Sequence, residues 1–91
     1  MIPPTPSARL DVRAHACPVT WVKARIALGR LAEGEVLEVL LRDGEPRHEV
    51  PRSAAEDGHA VLRVEPAPEE GEGTWRAWLV RGPSREERAW P

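Results

Sequence analysis

Leu10-Asp11-Val12-Arg13-Ala14-His15-Ala16-Cys17-Pro18-Val19-Thr20-Trp21 is the stretch whose reading decides the fold. Leu10 to Arg13 has the composition of a short strand. Val19 to Leu31 is helical, and Pro18 suits the first helical position, where its missing N–H has no intrahelical partner to lose. The main helix is therefore expected over 18–32, with Gly34 ending it. Trp21, Ala24, Ala27, Leu28 and Leu31 recur at three-and-four spacing and form its core-facing side. Val19, Val22 and Ile26 form a second, narrower stripe, and Ile26 is expected to pack against a neighbouring helix. Cys17 then falls at or near the helix N-cap. Free backbone N–H groups and the positive end of the helix dipole favour thiolate over thiol there, which makes Cys17 a candidate nucleophile.

Working outward, Val36 to Leu41 is an aliphatic run typical of a central strand covered on at least one face. Asp43-Gly44-Glu45-Pro46 breaks it as a turn or loop. Val50 to Asp57 reads as a short helix with Pro51 in its first turn. Ala60 to Val64 is a third strand, Pro66 to Gly73 an acidic turn, and Thr74 to Val80 a fourth strand. The order β-α-β-α-β-β predicts an α+β two-layer sandwich, a mixed four-stranded sheet with both helices on one face. The first crossover is expected to be right-handed, with strands one and two parallel. Residues 1–8 are expected to be a flexible segment, 9–81 the domain, and 82–91 a flexible charged tail.

The chain has 91 residues, enough for one domain with a small core. It contains no Phe and no Tyr, so the core must be aliphatic with Trp as its aromatic filler. Trp75 and Trp78 are three apart and face opposite sides of a regular strand. The net charge of −2 argues against general attraction to nucleic acid or anionic membrane. A single cysteine cannot close an internal disulfide and fits a reducing, cytoplasmic setting. The proline-rich first residues do not have the pattern of a signal peptide. No apolar run is long enough to span a bilayer. Cys17, His48 and His59 lack metal-ligand spacing, so no metal is expected.

Several residues near Cys17 carry two readings. His15 could help to ionise the thiol, but it also reads as a solvent-facing loop residue. Asp11 reads as an Asx-turn residue or strand-edge charge. Lys23 and Arg25 either guide an acidic partner surface or belong to an ordinary solvated face, and Arg30 reads as the latter.

Taken together, these landmarks resemble the TusA/SirA-type sulfur carriers. The Leu10-Asp11 to Cys17-Pro18 run is similar to that family's opening. Glu33-Gly34-Glu35-Val36-Leu37-Glu38-Val39 resembles its lead-in to strand two, Val50-Pro51 its second-helix start, and Gly58-His59-Ala60-Val61-Leu62 its lead-in to strand three. Two positions depart from the pattern. Thr20 stands where the family's common Cys-Pro-x-Pro motif has its second proline, giving Cys-Pro-x-Thr, and Ala14 stands where a glycine is often found. Thr20 restores a backbone N–H and adds a hydroxyl in the first helical turn.

The resemblance implies a sulfurtransferase-type persulfide carrier rather than an independent turnover enzyme. Sulfur would come from a cysteine desulfurase or rhodanese-like donor, rest transiently on Cys17 with no bound cofactor, and pass to an acceptor protein. Neither nucleic acid nor membrane is an implied partner. The alternative is a non-catalytic adaptor or regulatory module in which Cys17 is incidental.

Overall fold

A computed structural model of the chain describes residues 6–16 and 19–83. Four strands and two helices follow one another as β1 (Ala8–Asp11), α1 (Val19–Gly29), β2 (Val36–Arg42), α2 (Glu45–Glu56), β3 (Ala60–Pro66) and β4 (Thr74–Val80), with a 3₁₀ turn at Pro68–Glu70. The strands form one sheet in the order β1-β2-β4-β3, with β1 and β2 parallel and the other pairs antiparallel. This is the mixed α+β two-layer sandwich expected from the sequence.

The core follows from strand alternation. Leu37, Val39 and Leu41 of β2 stand opposite Leu79, Ala77 and Trp75 of β4. These residues point to the helical side, where Ala24 and Leu28 of α1 and Val50 and Ala54 of α2 complete the buried cluster. Trp21, Ala27 and Leu31 pack at its margin, so the inner side of α1 is the one its spacing predicts. The other sheet face carries Glu38 and Trp78 opposite one another and Leu40 opposite Arg76. Trp75 and Trp78 thus lie on opposite faces, and neither is exposed. Trp75 packs against the core under the Arg47 guanidinium at 4.1 Å. Trp78 is only 6% exposed, with the Arg76 guanidinium 5.5 Å from its ring.

Several boundaries differ from expectation. β1 begins at Ala8, and the Ser7 N–H already donates to the Val36 carbonyl, so the sheet claims the end of the segment expected to be flexible. α1 ends at Gly29, earlier than expected; the N–H groups of Arg30 and Leu31 close a tighter turn onto Ala27 and Leu28. Gly34 instead serves a later loop, where its φ of 88° suits glycine and its N–H donates to Arg81.

The largest correction concerns α2. It starts at Glu45 rather than Val50, with Gly44 at the cap and Pro46 in the first turn, leaving Pro51 inside the helix. Both prolines suit a helix start. The one nearer the Asp43-Gly44 turn wins because Asp43 accepts the Gly44 N–H and pairs with Arg47 across the first turn. At the other end of the domain, Gly82 is held rather than free. Its N–H donates to His59 Nδ1 at 3.0 Å, and its Cα lies so near the Gly58 carbonyl that a β-carbon would sit 2.0 Å from that oxygen. Gly82, expected to open the flexible tail, is thus tied to the domain, and the rest of the expected tail beyond Pro83 lies outside the described residues.

Candidate functional site

The loop joining β1 to α1 is built by local polar contacts at its β1 end. Asp11 accepts the Arg13 backbone N–H at 3.0 Å, an Asx-type turn, and its carboxylate also takes Arg13 Nε and Nη2 at 2.9 and 2.7 Å. The Arg13 side-chain hydrogen bond, reinforced by the backbone one, lowers the Asp11 pKa to about 2. Arg13 Nη1 reaches on to the Glu70 carbonyl and Thr74 Oγ1, tying the loop to the β3–β4 turn. Arg42 Nε, at the end of β2, donates to the Arg13 carbonyl at 2.6 Å. Asp11, Arg13 and Arg42 border an open cleft of about 640 Å³ beside Ala14. Sequence reasoning missed the bracing by Arg13 and Arg42. It depends on strands 29 residues or more apart meeting at one sheet end, and no local pattern announces that.

Beyond Arg13, the His15 N–H closes a turn onto the Val12 carbonyl, and Val12 is buried. The Ala16 carbonyl accepts the N–H groups of Val19 at 2.9 Å and Thr20 at 3.4 Å, which carries the chain into α1. Cys17 and Pro18, the residues between these anchors in sequence, lie outside the described residues.

The remaining candidates separate by position on α1. Thr20 is fully buried and stacks in the column Thr20, Ala24, Leu28 that faces the sheet. Its backbone N–H is directed to Ala16. His15 is half-buried, and its imidazole has no hydrogen bond or ion pair among the described residues. Lys23 and Arg25 are exposed, as is Arg30 just beyond the helix.

Val19, Val22 and Ile26 are 44%, 48% and 52% exposed. Ile26 therefore does not pack against α2 as expected. α2 instead meets α1 along its Trp21 and Arg25 flank, where those residues share a shallow cleft with Ser53, Glu56 and Asp57. The structure thus gathers Lys23, Arg25 and the apolar stripe on the outward side of α1 and sends Thr20 to the inside.

His59 is buried, with Nδ1 accepting from Gly82 and Nε2 3.5 Å from Asp57; it serves the junction between β4 and the β3 turn rather than the loop before α1. Among the described residues, no group of three or more His, Cys, Asp or Glu is placed to hold a metal, and no helix is long and apolar enough to cross a membrane.

The fold and the braced β1–α1 loop define a small two-layer α+β domain whose loop leads, in sequence, to a lone Cys-Pro step. The Sulfurtransferase TusA family model matches residues 8–81, and the chain belongs to that family. A protein of Archaeoglobus fulgidus named for a sulfur-carrier role is 40% identical over 67 residues, covering 72% of this chain and 72% of its own. A Thermotoga maritima protein of the same naming is 34% identical over 70 residues, covering 77% and 85%. The crystal structure of a SirA-like protein from Desulfitobacterium hafniense superposes with a TM-score of 0.65 at 26% identity, covering 84% of this chain and 99% of that one.

Proposed function

We propose that this protein is a sulfur carrier that holds sulfane sulfur as a persulfide on Cys17 and hands it to an acceptor protein. The observation that carries the reading is the family match across residues 8–81, which spans the Cys17-Pro18 step that precedes α1 in sequence. The relatives named for sulfur-carrier roles support it. The helix start supplies the physical reason: the positive end of the α1 dipole favours a thiolate next to it in sequence. A chain with a single cysteine also has no second thiol of its own to discharge a persulfide as a disulfide.

The transfer is a displacement at sulfur. The Cys17 thiolate attacks the outer sulfur of a donor persulfide. The donor's S–S bond breaks, its electron pair leaves with the donor as a thiolate, and a new S–S bond forms on Cys17. No external oxidant or reductant enters, because the sulfane sulfur keeps its oxidation state. The reverse geometry on the acceptor returns Cys17 to thiolate. A cysteine desulfurase or rhodanese-like protein fits the donor role, in the reducing setting of the cytoplasm.

The test is intact-protein mass spectrometry after incubation with a desulfurase and cysteine. A gain of about 32 Da, one sulfur atom, is expected in the wild type and not in Cys17→Ser. A wild type that never gains sulfur from desulfurase, rhodanese or glutathione persulfide overturns the reading. Full cellular function in Cys17→Ser would instead favour the adaptor module.

A further inference from the structure

The outward side of α1 has the composition of a contact surface, and no element of the described residues packs over it. At about 100° per residue, Val19, Val22 and Ile26 fall within an arc of roughly 60°. Lys23 borders this stripe on one flank and Arg25 on the other, and Arg30 follows in the turn beyond Gly29. None of the three cations makes an ion pair or hydrogen bond among the described residues. Elsewhere the arginines are engaged: Arg9, Arg13, Arg47, Arg52, Arg63 and Arg76 each pair with a carboxylate. Among the described residues, an exposed aliphatic stripe flanked on both sides by cations that make no ion pair is found on this helix.

We propose that this side of α1 is the docking face for a partner protein whose own contact surface is an apolar patch bordered by carboxylates. The proposal deepens the carrier reading and rests on it only for the partner's role as sulfur donor. Charge complementarity identifies the occupant: Lys23, Arg25 and Arg30 steer and orient an acidic rim, and the stripe supplies the dry contact.

Two other occupants fit less well. A second copy meeting this face about a two-fold axis would set the three cations against their own equivalents. A lipid surface is matched by helices that present Trp, Phe or Leu opposite many cations, whereas this stripe is Val and Ile on a chain of net charge −2. An α1 of 11 residues is about 16 Å long, which suits a small interface that forms and releases, as a relay requires.

The experiment measures binding on a Cys17→Ser background, so that no sulfur moves. Purified cysteine desulfurase and a rhodanese-type sulfurtransferase are the probes. Saturable binding of at least one probe is expected. The triple reversal Lys23→Glu, Arg25→Glu, Arg30→Glu and the double variant Val22→Ser, Ile26→Ser should each weaken it about tenfold or more, with circular dichroism unchanged. Added salt should weaken the parent protein and leave the triple variant nearly insensitive.

Failure of both probes to bind, or equal binding by parent and variants, overturns the docking face. So does a variant-sensitive interaction found instead with phosphatidylglycerol-containing vesicles, or self-association abolished by the same substitutions. Loading of Cys17-containing protein from glutathione persulfide separates the two readings. A triple variant that loses this small-molecule loading as strongly as desulfurase loading would show that the helix tunes the thiol rather than docks a donor. A wild type that gains no sulfur from any donor sinks the carrier reading, while the binding result on Cys17→Ser stands by itself.

Discussion

The outward side of α1 and the helix-free face of the sheet are made of similar residues put to opposite use. Both mix arginine with aliphatic side chains. On the sheet face the charges are answered within the chain. Arg76 sits 2.8 Å from Glu38 through Nε, 2.8 Å from Glu69 through Nη1 and 3.1 Å from Glu70 through Nη2. Arg9 pairs with Glu38 and Glu70. The β3–β4 turn thereby folds across the sheet end, and the side chains of Arg76 and Glu38 keep only 11% and 13% of their exposure. Burial pulls the Arg76 pKa down, but its hydrogen bond to Glu69 and the three carboxylates outweigh that and raise it. Glu69 is lowered by its own backbone N–H and by Arg76. On α1 and in the turn after it, Lys23, Arg25 and Arg30 make no ion pair or hydrogen bond among the described residues, and Val19, Val22 and Ile26 are exposed beside them. The lesson is that composition does not separate a finished surface from an open one; pairing does.

The contrast is most sharply tested at Arg76. Arg76→Met keeps an unbranched apolar side chain but leaves three carboxylates, one of them largely buried, without their cation. Breaking a buried pair from one side costs about 3 kcal/mol, read as a lower urea midpoint with unchanged slope. Leu28→Ala, on the inner side of α1, should cost a similar 2–5 kcal/mol through the cavity it leaves. An Arg76→Met protein as stable as the wild type would mean that the sheet-face network is ornamental and the comparison empty.

The matching substitutions on the outer side of α1 should be almost silent in the same measurement. Val22→Ser and Ile26→Ser alter exposed side chains outside the buried cluster, so each should stay within about 0.5 kcal/mol of wild type. A loss as large as that of Leu28→Ala would show that the stripe is structural, and it would take the docking proposal with it. Equal stability together with weaker donor binding is the outcome that sharpens the contrast.

What could be read from the sequence follows from the range of the interaction involved. β2 and β4 were legible because Val36 to Leu41 and Thr74 to Val80 carry their pattern locally. The inner side of α1 was legible from the spacing of Trp21, Ala24 and Leu28. The start of α2 was not, because Pro46 and Pro51 send the same local signal and only the Asp43–Arg47 contact across the first turn favours one of them. Ile26 was misplaced because spacing gives its angle on α1 but not the side on which α2 lies. The Glu38–Arg76 network was invisible because it requires the strand order β1-β2-β4-β3 and a turn that reaches back across the sheet. At the candidate site, Cys17-Pro18 was legible as a motif, whereas the bracing of its loop by Arg13 and Arg42 depended on tertiary contacts.

The smallest effect is expected where the paired part of the molecule approaches the site, at Asp11. Its carboxylate is lowered from 3.8 to about 2 by the Arg13 side-chain hydrogen bond and then by the Arg13 N–H. A depressed folded-state pKa stabilises the native state above the unfolded value, and this contribution is lost as pH falls through the folded value. Asp11→Asn keeps one oxygen for the Arg13 N–H and Nε but removes the charge and the oxygen that accepts from Arg13 Nη2. The wild type should therefore be the more stable by a constant, small margin above about pH 5, because the pair is partly exposed and screened. The margin should narrow between about pH 4 and pH 2 and close below that, when both proteins are uncharged at this position. Thermal midpoints of the two proteins across this range make the measurement. A margin undiminished at pH 2 would assign the effect to the shape of the Asx turn rather than to charge, and would remove the Asp11–Arg13 pair from the set of contacts that distinguish the sheet side of the molecule from α1.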